Sequence, residues 1–186
     1  RVSIAGGKLT YRDLSAPKPT DYVLQDMEPL LQSVRLGQTP SLHVATLVQP
    51  FNMPVTVDGT FGPLKETADI DAINLRLGLG KTAFTITGKT AGQNATVNMS
   101  SPLINTANLP MALPLNKPVD IIDLKITAEV KGQEAKLNSL SFQLFDGQVK
   151  GQGKLIAGSD APPFTGTVII QGLQLGPALD AVAATP

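Results

Sequence analysis

Apolar and polar residues alternate with period two along most of the chain, and "KLNSLSFQLFDGQVKGQGKL" at 136–155 shows the pattern best. Alternation of this kind puts successive side chains on opposite faces of a β-strand, one face in water and one out of it. Asp146-Gly147, a dipeptide favoured in two-residue hairpin turns, predicts the pairs Phe145–Gln148, Leu144–Val149, Phe142–Gly151 and Leu140–Gly153. One face of this hairpin then carries Leu140, Phe142, Leu144, Val149 and Leu155. The other carries Ser139, Ser141, Gln143, Gln148, Lys150, Gln152 and Lys154. Glycines opposite large side chains leave room for them and let the sheet bend.

The same reading extends in both directions. Residues 1–13 form two short strands around Gly6-Gly7, a Pro-rich joint follows at 16–19, and 22–36 reads as extended because Pro29 interrupts what would otherwise suit a helix. Leu42, Val44, Thr46 and Val48 share one face, followed by Val55, Val57, Gly59 and Phe61, with Asp58-Gly59 expected to form a bulge. Residues 72–100 give a three-strand meander with turns at Gly80-Lys81 and at 90–94. Pro110, Pro114 and Pro118 suit neither a helix interior nor a central strand, so 101–118 is expected to be a strap between sub-sheets 1–100 and 119–186. Beyond it Ile122, Leu124, Ile126, Ala128 and Val130 alternate with polar residues. A last strand at 164–171 places Val168 and Ile170 on one side, and 177–184 is the one credible helix.

The expected fold is therefore all-β: roughly twelve strands in a curved, mostly antiparallel multi-stranded sheet built of hairpins, a β-groove or an open sandwich or half-barrel, with one short C-terminal helix. The 186 residues are expected to form a single β-rich domain belonging to a longer chain. Composition narrows the function. Fifteen basic residues balance fifteen acidic ones, so no electrostatic footprint for nucleic acid is present. Cysteine is absent, which removes disulfides and thiolate metal sites. With no Trp and only 4% aromatic residues, the apolar surface is aliphatic and a carbohydrate-active site with aromatic platforms is disfavoured.

Candidate chemistry is sparse. "GLGKT" at 78–82 ends like a phosphate-binding loop but has Leu75 where the first glycine belongs and a strand where a helix should follow. His43 is the sole histidine and reads as a surface or edge residue. Asp69 and Asp71 read as a solvated strand end. The glycosylation-like "NAT" at Asn94 and "NMS" at Asn98 are short enough to arise by chance. No catalytic residue, metal site or cofactor is expected. The apolar faces remain. Their commonest use is the core of two packed sheets, but covering helices are nearly absent and glycines at 59, 151 and 153 leave space. A partly unfilled aliphatic trough suits hydrocarbon, since each methylene kept from water contributes ~0.8 kcal/mol. The residues nominated to face lipid are Leu124, Ile126, Leu140, Phe142, Leu144, Val149, Leu155, Val168 and Ile170. The alternative is a structural or adhesive β-sandwich scaffold that binds a protein partner.

"SLSFQLFDGQVKGQGKL", a proline-containing loop and "FTGTVIIQGLQLGPALDAV" together resemble the C-terminal part of the AsmA family of Gram-negative envelope proteins. "VSIAGGKLTYRD" and "VTVDGTFGPL" are similar to that family's strand-glycine units. The resemblance covers most of the chain and rests on short glycine and aliphatic patterns. It implies a repeating β-groove like that of the TamB group and of bridge-like lipid transfer proteins. It also implies a periplasmic location with an inner-membrane anchor outside these residues, phospholipid or other lipid as ligand, and a role in outer-membrane assembly alongside envelope proteins.

Overall fold

The computed structural model describes residues 1–13, 20–67, 69–109, 115–156 and 164–182. Thirteen strands form one sheet: β1 (Val2–Ser3), β2 (Gly7–Asp13), β3 (Thr20–Met27), β4 (Leu30–Gln32), β5 (Ser41–Gln49), β6 (Met53–Gly62), β7 (Ile70–Leu79), β8 (Thr82–Ala91), β9 (Asn94–Asn105), β10 (Asp120–Lys131), β11 (Glu134–Leu144), β12 (Gly147–Ile156) and β13 (Phe164–Gln171). A 3₁₀ turn at Thr106–Asn108 and one helix, α1 (Leu175–Val182), complete the described elements.

From β5 onward every strand pairs antiparallel with the next, so the sheet is an up-and-down meander. Its first part is the same meander with broken strands. Pro29 separates β3 from β4, and the two lie end to end along β5, while β2 and β1 line up outside them. The result is an open sheet with two free edges, β1/β2 and β13. The all-β, hairpin-built, curved antiparallel sheet expected from the alternation is what forms. Residues 22–36 are extended apart from the break at Pro29 and the bend after Gln32.

Glycine chemistry sets the tight turns. Gly80, Gly92 and Gly132 each take φ +57 as the first of two turn residues, the geometry of a Gly-X hairpin turn. "GLGKT" is thus the β7–β8 hairpin. The turn of the 136–155 hairpin departs from expectation: Phe145 (φ 47) and Asp146 (φ 59) form it, not Asp146-Gly147. Leu144 pairs with Gly147, Phe142 with Val149 and Leu140 with Gly151. Gly147 is needed elsewhere, because a Cβ there would lie 2.7 Å from the Leu173 backbone. A second departure is at Asp58-Gly59, where no bulge exists. β6 keeps its register with both neighbours, and Gly59 (φ +150) lets the Asn74 carbonyl approach to 2.0 Å from where a Cβ would stand. Irregular registers occur instead in β2–β3, β7–β8, β10–β11 and β11–β12, where extra residues bend the strands.

β9 continues to Asn105 and pairs with β10 from Asp120 to Lys131, so strands on both sides of the proposed strap belong to one sheet. Residues 110–114 of that strap lie outside the described residues, as do 157–163 with Pro162-Pro163.

Most burial lies at one rim, although Pro40, just before β5, is buried at the other. Among the described residues the other buried apolar side chains are Met53, Phe84, Ile104, Val119, Val149 and Ala181, all at strand ends or in the connections on the rim that carries the turns at 50–52, 80–81 and 145–146. There residues 115–119, α1 and the 145–146 turn are joined. Asn116 N–H donates to the Ala181 carbonyl (2.8 Å), Lys117 Nζ to Asp180 (3.2 Å), and Gln174 N–H to the Phe145 carbonyl (3.0 Å). Elsewhere the sheet has one layer. The chain exposes 12101 Å², whereas a compact monomer of this mass exposes about 8,500 Å².

Candidate functional site

Directly paired residues in an antiparallel sheet place their side chains on the same face. Tracing partners from edge to edge gives one continuous row: Val168, Gly151, Leu140, Ile126, Met99, Ile86, Leu75, Gly59, Leu42, Leu31, Val2. Every member is apolar or glycine. The row one residue away lies on the opposite face and reads Ile169, Lys150, Ser141, Lys125, Ser100, Thr85, Arg76, Asp58, His43, Leu30, Ser3. It is polar except where it nears the free edges. Ten inter-strand steps of ~4.8 Å make the apolar row about 48 Å long.

The nominated residues all lie on the apolar face. Ile126, Leu140 and Val168 belong to the row itself. Phe142, Val149 and Ile170 form the adjacent row, Leu144 faces Gly147, Leu155 faces Phe164, and Leu124 faces Ser101. Their exposure differs by position. Leu124, Ile126, Leu140, Phe142, Leu144 and Leu155 are half-buried, Val149 is buried, and Val168 and Ile170 are exposed because β13 has no outer neighbour. The sequence reading nominated only the C-terminal half of this surface. Leu42, Leu75, Ile86 and Met99 continue it, and the same period-two signal marked them. Half-burial along the row is what a one-layer sheet produces: neighbours shade each side chain, but no second layer among the described residues covers it.

Phe164 shows how glycines shape the surface near β13. Its ring atoms lie 2.9–3.0 Å from where Cβ atoms of Gly166 and Gly153 would stand, so the ring lies flat across two bare backbone positions. Gly151 meets only Leu140 and backbone at 3.4 Å or more.

The polar groups singled out in the sequence are occupied structurally. His43 Nδ1 sits 2.5 Å from Asp58 Oδ1, its partner across β5–β6 on the polar face. Asp69 accepts hydrogen bonds from Gly92 N–H (2.6 Å) and the Thr67 hydroxyl (2.9 Å), and these hold its carboxyl below the ordinary carboxylate range. Asp71 pairs with Lys65. Among the described residues no group of three or more His, Cys, Asp or Glu is placed to hold a metal ion, and no helix is long and apolar enough to cross a membrane.

A feature absent from the sequence reading lies at the covered rim. A cavity of about 880 Å³ opens between the 50–54 turn, the Gly80-Lys81 turn, the 3₁₀ turn with Leu109, and residues 115–118. It adjoins the apolar face through Met53, which pairs with Val48 beside the Thr46–Val55 pair. Its walls come from three connections that are distant in sequence, which is why no local pattern announces it. Two smaller hollows, each of about 360 Å³, lie among the polar side chains of β11–β13.

Comparison with protein-family models, with curated proteins and with solved structures finds no match to this chain.

Proposed function

We propose that this chain is a non-enzymatic β-groove module of the periplasm that shelters phospholipid acyl chains and so contributes to outer-membrane assembly, as its resemblance to AsmA-like proteins implies. The observation that carries the reading is the unbroken apolar row from β13 to β1 on an uncovered sheet. A hydrocarbon chain needs no directional partner, only a continuous surface that removes it from water. A sixteen-carbon chain gains at most ~12 kcal/mol from complete shelter at ~0.8 kcal/mol per methylene, and a one-sided groove provides about half. Such binding is firm enough to hold a lipid and weak enough to pass it along.

The rival reading as a closed β-sandwich requires a second sheet against the apolar face. All thirteen strands are in one sheet, and nothing among the described residues supplies the second layer. Purification from envelopes followed by lipid extraction and native mass spectrometry tests the proposal: bound phospholipid is expected, and Phe142→Glu is expected to deplete it and to raise envelope permeability in cells. Lipid-free protein, together with unchanged permeability in the variant, refutes it.

A further inference from the structure

The covered rim has a property the groove lacks: fixed positive charge beside apolar surface. The cavity of about 880 Å³ is floored by Phe51, Met53, Leu109 and Leu115, while Lys81 and Lys117 supply its charge. No carboxylate is among its lining residues. Lys117 is tied 3.2 Å from Asp180 on α1, whereas Lys81 has no carboxylate partner among the described residues. Asn52, Asn108 and Asn116 add donors and acceptors between the cations.

The walls are held by hydrogen bonds that do not depend on a ligand. Gly80 N–H donates to the Pro54 carbonyl (2.9 Å), Thr106 N–H to the Val119 carbonyl (2.9 Å), and Val119 N–H to the Thr106 hydroxyl (2.8 Å). Asn105 caps the 3₁₀ turn by accepting from Ala107 N–H (3.0 Å). Gly80 packs close to Met53, with only 3.6 Å from the position of a Cβ to Met53 Cγ, so the Lys81 turn and the groove face touch directly.

We infer that this rim cavity is an anionic headgroup site: it holds the phosphate of a phospholipid against Lys81, while the acyl chains run onto the apolar face past Met53. This rests on the groove reading and adds to it a polarity, since the headgroup is held at the covered rim and the tails point along the sheet. The size agrees, because pockets for small ligands occupy ~300–1,000 Å³. A contact in which donor and acceptor are both ionised is the strongest class of hydrogen bond, and an uncharged headgroup cannot make it with lysine.

The test compares two fluorescent probes with the same acyl chains, phosphatidylglycerol and uncharged diacylglycerol, on the wild-type chain and on Lys81→Glu and Lys81→Arg. Circular dichroism checks that each variant is folded. The expected result is that Lys81→Glu weakens phosphatidylglycerol at least about tenfold, leaves diacylglycerol unchanged, and that Lys81→Arg restores the charged probe. Glycerol 3-phosphate and inorganic phosphate are run as competitors; displacement by free phosphate alone at low concentration marks a phosphate site unrelated to lipid and overturns the inference. If diacylglycerol binds and the charge at residue 81 makes no difference, the headgroup site is wrong while the groove stands. If neither probe binds the wild type, both readings fall.

Discussion

Leu140→Glu separates an open groove from a solid core more sharply than any other single change. Leu140 sits in the apolar row between Ile126 and Gly151, half-buried, with its Cδ2 3.4 Å from the place a Cβ would take on Gly151. Complete burial of a leucine contributes about 1.5–3 kcal/mol, so a half-buried one loses about 1 kcal/mol when its apolar contacts go. The glutamate itself costs little in a groove one layer deep, because its carboxylate reaches water. For a chain of this length 1 kcal/mol moves the melting temperature by about 2–4 °C. In a closed core the same substitution buries an unpaired charge, costs several kcal/mol and unfolds the protein. The effect on lipid follows from geometry. An acyl chain spans half of a ~30 Å hydrocarbon layer, which is about three strands at ~4.8 Å. Charging one of the three removes about a third of a one-sided gain of ~6 kcal/mol, or about 2 kcal/mol, and weakens binding about thirtyfold. Titration with pyrene-labelled palmitate and thermal melts followed by circular dichroism measure both quantities. Ser141→Glu, one residue along on the polar face, is the control and is expected to change neither. A melting temperature that collapses, or palmitate binding unaffected by the variant, refutes the open-groove account.

Gly59→Ala is expected to destabilise the sheet by about 2–5 kcal/mol in urea unfolding, since φ +150 is strained for alanine and the new Cβ would stand 2.0 Å from the Asn74 carbonyl oxygen. Gly151→Ala has ordinary φ and open contacts, so the same measurement is expected to show no loss, and equal losses at the two positions would contradict the reading of Gly59 as a close-approach glycine. Asp69 has its carboxyl held below the ordinary 3.8 by Gly92 N–H and then by the Thr67 hydroxyl. A depressed carboxyl contributes stability that is present above its unfolded-state value and disappears as pH falls through the folded-state value. Melts at successive pH values should therefore show Asp69→Ala less stable than wild type at neutral pH, with the gap closing in acid. A gap independent of pH would show that the carboxylate is not the source.

Strand existence was legible because one physical signal, period-two alternation, is repeated along the chain and bears directly on which face meets water. Boundaries inside that pattern were less legible. Nothing near Asp58-Gly59 distinguishes a bulge from a glycine yielding to a neighbouring carbonyl, since the deciding contact, Asn74, lies on the next strand. The turn at Phe145-Asp146 was hidden for the same reason: Asp146-Gly147 is the better local turn, but Gly147 faces the backbone at Leu173, 26 positions later, as 173 − 147 shows. The rim cavity was wholly invisible, being assembled from three connections with no shared periodicity.

The turn error left the surface assignment intact, and the reason shows what the sequence constrains. Moving the turn by one residue changes the paired sum from 145 + 148 to 144 + 147, a shift of two, and a shift of two returns each side chain to the same face. A shift of one would have set Phe142 and Leu140 against Lys150 and Gln152, so the alternation itself forbids it. Register parity is thus fixed by the hydrophobic pattern, while register within that parity is decided by tertiary contacts such as Gly147 against Leu173. The same constraint acts at every pair from β5 to β12. A single-residue slip there would interrupt the apolar row with a polar residue such as Lys150, Ser141 or Arg76, so the continuity of the row across strands joined by different turns and bulges is selected by packing on one face. For a lipid-bearing surface this continuity matters more than the identity of any residue in it. Conservative exchange of one aliphatic for another along the row is accordingly expected to matter far less than a slip or a single charge.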